Sequence, residues 1–560
     1  MKHIVIYLAI TFCLHATLPL EVQQQINKSG IAKNEVSVYI KEVGGDVIAS
    51  YNAHKAMTPA SVIKVVTTYA SILSLGFDYR WPTQFYTTGI LKNGVLHGDL
   101  IVKGFGDPTL SSDDLPEIIN EINKKGIRKI GGSILIDRSY FKVGNKDNSG
   151  FDENIYSPYN AMPDAMMFNE RISTICVAPN KNSVIQKSVD RSYKIVNRLQ
   201  RINVPCEGRY SWPIVKIDKT ETVPSVLLQG KISQRCGERR ISQVITKPYK
   251  SFYYALKDAL LKAGIKVQGG LKLEKVPSSA HILFTHYSQP LEEIVSTTAK
   301  DSNNLYARHL LLLLGAKMYG APATLSKGRS AIVTILKNKK TLQSEVLQID
   351  NGSGLSRISK LNAKLLSDVL EGAYERYGER WRDTLSVAGV DGTIKRRFGG
   401  TIVSKHAWMK TGTLKRVKNI AGYVKNRAGK LYNVVILVNS NKGNWRANQL
   451  QNEIIQWLAK GTSKPKAAPQ RISEKYVQKN IQPAAPINIP QGYGVQVGSF
   501  AQTPKAAYLA RIKKAGFSYR VLHQSIYRVI VGPYGDESSA KRALGDIRQK
   551  INRGAFIVKL

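Results

Sequence analysis

The chain has 560 residues, which at about 150 residues per domain suggests three to four folding units and excludes a lone small binding module. Its 82 lysines and arginines exceed its 40 aspartates and glutamates, giving a formal net charge of +42. Because 43% of the residues are hydrophobic, the chain can build packed cores and is globular. The charge indicates anionic partners, and nucleic acid or a membrane surface are the first candidates until the compartment is known.

The N-terminus has the pattern of a secretory signal. Residues 1–3 are a short basic start, residues 4–14 form an uncharged apolar run, and Ala16 is a small residue where cleavage can occur. We therefore predict a signal peptide over residues 1–18 and an exported protein. The run is shorter than the roughly 20 apolar residues of a membrane-spanning helix, so we predict no transmembrane anchor. A buried N-terminal helix or a membrane anchor is the alternative interpretation.

Three cysteines follow the predicted signal: Cys176, Cys206 and Cys236. An oxidising compartment favours a bridge between Cys206 and Cys236 and leaves one thiol free, although the pairing among the three stays open. The sequence contains no paired C-x-x-C motif and no H-E-x-x-H motif. We therefore predict neither a metal nor another cofactor.

The hydrophobic pattern after the signal predicts two strands and a helix. The strands span residues 36–43 and 47–52, and the turn between them is typical of a hairpin. The helix begins at Pro59 and ends near Leu75, where Gly76 is a natural stop.

A long middle section, residues 80–288, contains short strand-like runs broken by glycine and proline. From about Leu291 the pattern becomes helical, and it closes with three strands and an amphipathic helix. These last elements are predicted at residues 407–413, 420–424, 431–439 and 446–460.

The C-terminal hundred residues differ from the rest in composition. Residues 460–490 are rich in proline and basic residues and cannot bury enough apolar surface to pack, so we predict a flexible linker. Residues 491–560 contain a repeat: the pattern Val-x-Val-Gly-x-aromatic at 495–500 recurs at 529–534. The order of predicted elements in this segment is strand, helix, strand, strand, helix, strand.

The first of three chemically suggestive motifs is Ser61-Val62-Ile63-Lys64. Ser61 and Lys64 are three residues apart at a predicted helix start, so the ammonium can reach the hydroxyl. Lys64 is the only charged residue between Ala56 and Phe77, which predicts that it is buried. A buried lysine without an acidic partner loses its proton readily and can act as a base on Ser61. The alternative is a snorkelling lysine beside a capping serine.

The other two motifs are Ser302-Asn303-Asn304 and Lys410-Thr411-Gly412. In the second motif Ser302 can pass a proton and Asn304 can hold a peptide, although an ordinary helix cap has the same sequence pattern. The third motif lies on a predicted strand, where Lys410 can attract a carboxylate and Gly412 permits close backbone approach. An edge-strand lysine that prevents aggregation is the alternative.

In this order the three motifs resemble the signature of penicillin-binding proteins and class A β-lactamases. Ser61 and Ser302 are 241 residues apart, which is farther than in class A β-lactamases and requires an inserted region. This arrangement resembles the D-alanyl-D-alanine carboxypeptidase/endopeptidase family, the type 4, class C low-molecular-mass penicillin-binding proteins, over about residues 25–459. Further stretches that agree are 98–108, 136–139, 350–357 and 421–423.

The resemblance implies an α+β serine transpeptidase/β-lactamase-like fold over residues 22–84 and 285–459, interrupted by a large β-rich insertion at 85–284. Ser61 would attack the D-Ala-D-Ala carbonyl or a peptide cross-link to form an acyl-enzyme. Lys64 would be the base, Ser302 would relay a proton to the leaving amine, and water would complete hydrolysis.

The same resemblance implies a set of substrate-binding residues. Asn304 would bind the peptide, and Lys410 and Thr411 would hold its terminal carboxylate. The backbone N–H groups of Ser61 and Thr413 would form the oxyanion hole, with Gly412 between the two threonines. Two further positions are implied near the cleft, Asp137 for the side-chain amine of the stem peptide, and Arg357.

The tail resembles a SPOR domain, a small βαββαβ module that binds peptidoglycan glycan strands. The resemblances together imply a periplasmic enzyme enriched at the division septum, with peptidoglycan as partner, β-lactams as covalent inhibitors and no nucleic acid. The positive charge would then attract the anionic cell wall. The alternatives are a catalytically inactive SPOR-directed scaffold, which the intact motifs argue against, and a β-lactamase, which lacks an acidic deacylation partner close after the first motif.

Overall fold

The computed structural model describes residues 18–144, 146–342 and 345–461, and residues 493–559 except 501–503, 505, 524–526, 535 and 553. The chain divides into two compact units, Met1–Ala467 and Ala468–Leu560. Nearly all of the predicted signal peptide and of the predicted linker lies outside the described residues. Within the described residues, no helix is both long enough and apolar enough to cross a bilayer.

A six-stranded antiparallel sheet forms the centre of the first unit. The N-terminal hairpin pairs with a strand near the end of the unit, so that Val38 lies opposite Ile436. Apolar residues alternate between two cores, with Ile436 and Val438 on one face and Val435 and Leu437 on the other. The strands, in spatial order, are Val47–Tyr51, Val36–Glu42, Leu431–Asn439, Val417–Lys425, Ala407–Leu414 and Ser386–Val387.

Helices cover both faces of this sheet, because both faces are apolar. The helices Leu20–Lys28 and Asn444–Lys460 pack on one face. On the other face the central helix is buried all round, as its five consecutive leucines, Leu310 to Leu314, require. The helices of this second layer are Lys64–Leu75, Leu291–Lys300, Asn304–Tyr319, Leu325–Asn338 and Ala363–Arg382.

A β-rich insertion separates the first helix of the second layer from the rest. One core of the insertion joins a five-stranded and a four-stranded sheet to the helices Leu115–Lys124 and Pro248–Lys262. The five strands, in spatial order, are Leu271–Leu273, Ile134–Asp137, Leu100–Gly104, Pro82–Thr87 and His281–Tyr287, and the four are Lys266–Val267, Lys129–Ile130, Val95–His97 and Ile90–Lys92.

A second core of the insertion lies between two three-stranded sheets. Cys206 and Cys236 form a disulfide here, and Cys176 is a buried free thiol. The strands are Ser183–Gln186, Ser173–Ala178 and Arg239–Gln243 in one sheet, and Lys194–Ile202, Ser225–Ser233 and Ile214–Asp218 in the other. A two-stranded ribbon, Leu347–Gln348 with Lys360–Leu361, follows outside the insertion.

The described part of the C-terminal unit, residues 493–559 with the gaps given above, contains one four-stranded antiparallel sheet and two helices. The repeated Val-x-Val pattern supplies the centre of its core, where Val495, Val497, Val529 and Val531 are buried. The strands, in spatial order, are Tyr519–His523, Tyr527–Tyr534, Tyr493–Phe500 and Phe556–Lys559, and the helices are Ala506–Lys514 and Glu537–Lys550.

The predicted α+β fold and the βαββαβ order of the tail are confirmed. The helix predicted from Pro59 begins instead at Lys64, and a 3-10 turn, Ala60–Ile63, precedes it. The turn forms because Ala60 adopts a left-handed conformation, φ 48°, which an α-helix excludes. The strand predicted at 420–424 is longer and spans Val417–Lys425. The predicted insertion boundaries at 85 and 284 fall inside the strands Pro82–Thr87 and His281–Tyr287, which pair with each other.

Candidate active site

Ser61 lies on the 3-10 turn that leads into the helix Lys64–Leu75. The loop Asp350–Arg357 packs directly against this turn. A side chain at Gly354 would place its Cβ 2.0 Å from the carbonyl oxygen of Ala60, so only glycine fits there. The Thr67 hydroxyl donates to the carbonyl of Gly352 at 2.8 Å and holds the same loop from inside the helix.

Lys64 is fully buried, as its isolated position in an apolar helix predicts, which rules out a snorkelling lysine. Its Nζ lies 2.9 Å from Ser61 Oγ, 2.7 Å from Asn304 Oδ1 and 2.6 Å from the carbonyl oxygen of Ser353. The amide orientation of Asn304 is set by its Nδ2, which donates to the carbonyl of Tyr159 at 3.1 Å. The first and second motifs therefore meet at one nitrogen atom.

The surroundings of Lys64 favour the neutral amine. Burial lowers its pKa well below the usual value, and the nearby cations of Lys410 and Arg308 lower it further. Asn304 Oδ1 and the Ser353 carbonyl can only accept, so they take the two N–H groups of a neutral amine. The lone pair is then left facing Ser61 Oγ, whose other near acceptor, the Ser353 carbonyl, is 3.5 Å away.

Ser302 joins the second motif to the third. It adopts a left-handed conformation, φ 58°, and its Oγ accepts a hydrogen bond from Lys410 Nζ at 2.9 Å. Lys410 is fully buried and donates also to the carbonyl of Thr411 at 2.8 Å, so it is not a solvent-facing guard on an edge strand. Burial lowers the pKa of Lys410 to about 7.

The strand Ala407–Leu414, which contains the third motif, lies directly beside Ser61. A Cβ on Gly412 would lie 2.8 Å from the Pro59 carbonyl and 3.0 Å from the Ser61 nitrogen, so glycine permits this approach. Thr411 lies on the other face and donates to the Thr393 hydroxyl at 2.8 Å. Thr413 is exposed and accepts from Lys418 Nζ at 3.0 Å.

The helix-cap interpretation of the second motif is also correct. The Asn303 side chain accepts from the Tyr306 N–H at 3.1 Å and caps the helix Asn304–Tyr319. Ser302 and Asn304, on either side of the cap, turn to Lys410 and to Lys64. One short segment thus begins a helix and connects the two buried lysines.

Asp137 lies on a strand of the insertion, at the wall of a cavity of about 410 Å³. Its carboxylate accepts from the backbone N–H groups of Ser139 at 2.8 Å and Val276 at 3.1 Å, and Lys103 Nζ is 3.7 Å away. Burial by itself would raise the pKa of Asp137, but these hydrogen bonds and the Lys103 cation hold it below the usual value. The carboxylate is therefore ionised.

Arg357 is exposed at the end of the loop Asp350–Arg357, and its guanidinium lies 4.7 Å from the ring centroid of Phe151 in the insertion. Among the described residues, no hydrogen bond joins Asp137 or Arg357 to Ser61, Lys64 or Ser302. The structure therefore brings the three motifs together and leaves these two residues outside the motif contacts.

Several groups that contact the motifs were missed by sequence reasoning; they include the carbonyl of Ser353, the carbonyl of Tyr159, the Thr393 hydroxyl and the side chain of Glu170, which accepts from Asn303. A backbone carbonyl leaves no trace in residue type, although Ser353 lies in a stretch that resembles the family. No group of three or more His, Cys, Asp or Glu side chains in the described part of the chain is placed to hold a metal ion.

Several known proteins are similar to the first unit. The chain is 27% identical over 457 residues to a D-alanyl-D-alanine carboxypeptidase DacB of Haemophilus influenzae, covering 77% of this chain and 91% of that protein. It is 26% identical over 398 residues to penicillin-sensitive carboxypeptidase A of Dictyostelium discoideum, covering 67% and 76%. The crystal structure of penicillin binding protein 4 (dacB) from Haemophilus influenzae superposes with a TM-score of 0.67 at 25% identity, covering 78% of this chain and 99% of that one.

The matches to protein families agree with these similarities. Residues 490–559 match the SPOR domain. Residues 18–461, which are most of the chain and include all three motifs, match the D-Ala-D-Ala carboxypeptidase 3 (S13) family. The sequence, the fold and the contacts of the motifs lead to the same conclusion, that the chain belongs to the D-Ala-D-Ala carboxypeptidase 3 (S13) family of serine peptidases.

Proposed function

We propose that the chain hydrolyses the D-Ala-D-Ala bond of peptidoglycan stem peptides through an acyl-enzyme formed on Ser61. The observation that carries this assignment is the placement of Lys64 Nζ, 2.9 Å from Ser61 Oγ and bonded otherwise only to neutral acceptors among the described residues. A lysine in this setting is a base and not the partner of a structural ion pair.

In the acylation step Lys64 takes the proton of Ser61 as Oγ attacks the carbonyl carbon of the penultimate D-Ala. The C–N bond then breaks, and the leaving amine takes a proton from Ser302, whose hydroxyl is bonded to Lys410 and regains a proton from Lys64. Neutral Lys64 then takes a proton from the water that attacks the ester and returns it to Ser61 Oγ as the ester C–O bond breaks. General acid–base catalysis of this kind contributes about 10²- to 10⁴-fold in rate.

The backbone N–H groups of Ser61 and Thr413 would stabilise the oxyanion of each tetrahedral intermediate. The absent side chain of Gly412 supports this assignment, because it lets the strand approach the Ser61 nitrogen. An oxyanion-hole donor contributes about 3 kcal/mol to lowering the barrier.

Different groups would hold the two ends of the substrate. The Lys410 cation and the hydroxyls of Thr411 and Thr413 would attract the terminal carboxylate. Because Lys410 is fully buried, its charge would act on the carboxylate from below the protein surface. Asn304 would bind the peptide backbone. Asp137 would attract the amine of the stem-peptide side chain, since its ionised carboxylate lines a cavity. Arg357 would lie near the cleft.

The SPOR domain binds peptidoglycan and would hold the catalytic unit at its substrate, which raises the effective substrate concentration. Residues 491–560 carry 12 basic and 3 acidic residues, a charge of +9 that favours the anionic wall. We place the enzyme in the periplasm with enrichment at the septum, and we assign glycan strands as the ligand of this domain.

Digestion of purified sacculi followed by mass analysis of the muropeptides tests the reaction. We expect pentapeptides to lose one alanine and, where the enzyme also cleaves cross-links, dimers to become monomers. Ser61→Ala should leave both unchanged. Unaltered muropeptides with the wild-type enzyme would favour the inactive scaffold, and rapid hydrolysis of penicillin with no lasting adduct would favour a β-lactamase.

Deletion of residues 491–560 tests the tail separately. Binding to sacculi should fall, because the domain and its charge are lost, while hydrolysis of a small D-Ala-D-Ala peptide should stay within about twofold of the wild type, since tethering acts on the polymer alone. Unchanged binding to sacculi would show that the tail has another ligand.

A further inference from the structure

We propose that Glu170, on the insertion, is a positioning residue that holds the second motif in register with both buried lysines; this inference rests on the proposed function. Its carboxylate contacts neither of the catalytic hydroxyls nor Lys64 among the described contacts. It acts through Asn303, the residue between Ser302 and Asn304.

The contacts of Glu170 are paired and specific. Its Oε2 accepts from Asn303 Nδ2 at 2.9 Å, and its Oε1 accepts from the Tyr306 hydroxyl at 2.9 Å. Asn303 Oδ1 at the same time accepts from the Tyr306 N–H at 3.1 Å. Both ends of the Asn303 amide are therefore fixed, one by the helix and one by the insertion.

This fixation bears directly on the chemistry because Asn303 has a catalytic neighbour on each side. Ser302 precedes it in a left-handed conformation and bonds Lys410, while Asn304 follows it and bonds Lys64. A rotation at Asn303 would move both contacts together. Misplacement by about 1 Å of groups around a reacting centre can reduce a rate 100-fold.

The turn that carries Glu170 is strained. Asn169, Glu170 and Arg171 all adopt positive φ, 48°, 52° and 60°, a run that non-glycine residues avoid. Such strain persists where the surroundings impose it, and it clusters at functional sites. Here Asn169 bonds Ser112, and Arg171 bonds the Asp147 carboxylate and the Met162 carbonyl.

A carboxylate suits this position better than any neutral side chain. Its two oxygens only accept, and they face two groups that donate. Burial raises the pKa of Tyr306, and the Glu170 carboxylate raises it further, so the phenol keeps its proton as a donor. The insertion also contacts the motif through the Tyr159 carbonyl, which accepts from Asn304. The insertion thus completes the active site.

Stopped-flow acylation of the full chain by a fluorescent penicillin, with kcat and KM for a D-Ala-D-Ala peptide, tests this role. Glu170→Ala should lower the acylation rate constant and kcat by about 10- to 100-fold with a smaller change in KM, because Lys410 and the threonine hydroxyls that hold the substrate carboxylate remain. Glu170→Gln keeps one accepting oxygen and should recover most of the rate. Tyr306→Phe should cause a smaller loss in the same direction.

One further variant separates the effect of the Glu170 carboxylate from that of the strained turn, and a second variant is a control. Glycine adopts a positive φ without strain, so the melting temperature of Glu170→Gly should be no lower than that of Glu170→Ala. Its acylation rate constant should nevertheless be as low as that of Glu170→Ala, because both variants lack the carboxylate. Glu221→Ala is the matched control, since it removes an exposed carboxylate of the insertion that is 3.8 Å from Lys194, and it should acylate like the wild type.

The outcomes are distinguishable. If Glu170→Gly acylates like the wild type, or Glu170→Ala does so while folded, the positioning role is wrong. If Glu170→Ala does not fold, the rate of Tyr306→Phe decides, and a wild-type rate in that variant overturns the inference. If penicillin does not label even the wild type, the proposed function itself fails.

Discussion

The active site and the insertion differ in whether their buried charged side chains have an ion-pair partner. At the active site Lys64 and Lys410 are fully buried, and no carboxylate among the described residues pairs with either. In the insertion, Arg138 is paired with the buried Asp164, and Arg171 with Asp147. A paired buried charge maintains structure, whereas an unpaired one gives up its proton.

The pKa shifts follow this division at Lys64, Lys410 and Asp147, whereas burial raises the pKa of Asp164 in spite of its pairing with Arg138. Burial lowers the pKa of Lys64 well below its usual value and that of Lys410 to about 7. In the insertion, burial would raise the pKa of Asp147, but Lys247, Arg171 and Lys219 hold it below the usual value. The difference indicates where the molecule does chemistry, because perturbed groups without ion-pair partners are costly unless a reaction uses them.

The largest expected effect comes from removing the unpaired cation itself. Lys64→Met deletes the base, so the acylation rate constant should fall by about 10²- to 10⁴-fold. Stability should rise instead of falling, because a neutral side chain replaces a lysine that folding must strip of its proton. A purified variant can be compared with the wild type by penicillin acylation and by urea unfolding.

The size of the stability change depends on pH. A lowered folded-state pKa costs stability in full below that pKa, and the cost vanishes as pH rises to the unfolded value of about 10.4. The advantage of Lys64→Met should therefore be greatest at low pH. An advantage that grows with pH would contradict the neutral state of Lys64.

The opposite result is expected in the insertion. Arg138→Met leaves the Asp164 carboxylate buried without its partner, which should destabilise the fold by about 3 kcal/mol. Asp164→Asn together with Arg138→Met should recover part of this loss. Urea unfolding of both variants measures the change in the free energy of unfolding. If Arg138→Met is as stable as the wild type, the ion pair contributes nothing to stability.

A smaller effect should distinguish the two lysines from each other. The acylation efficiency should rise with pH as Lys64 loses its proton, and it should fall above about pH 7 as free Lys410 loses the charge that attracts the carboxylate. Lys410→Arg keeps the charge at all these pH values and should flatten the alkaline limb. If the acylation efficiency of this variant still falls above about pH 7, a group other than Lys410 causes that fall.

Sequence reasoning predicted the motif residues and the burial of Lys64. The burial could be predicted because a helix that is apolar on nearly all sides is itself buried and takes its one charged residue with it. The α+β fold was implied by the resemblance of the three motifs to a known family, and the order of elements in the tail followed from the alternation of apolar residues. The start of the helix at Lys64 was missed, since the left-handed Ala60 that delays it is set by packing against Gly354. Glu170 was missed for the same reason: three positive φ angles in a row depend on tertiary contacts that no local pattern encodes.

The central claim is that Ser61 is the nucleophile and that neutral Lys64 is its base. Mass mapping of the penicillin adduct after rapid quenching tests it most directly. We expect one adduct, on the peptide containing Ser61, none on Ser61→Ala, and slow formation of the same adduct on Lys64→Met. An adduct on another residue, or equal labelling of Ser61→Ala, would contradict the account.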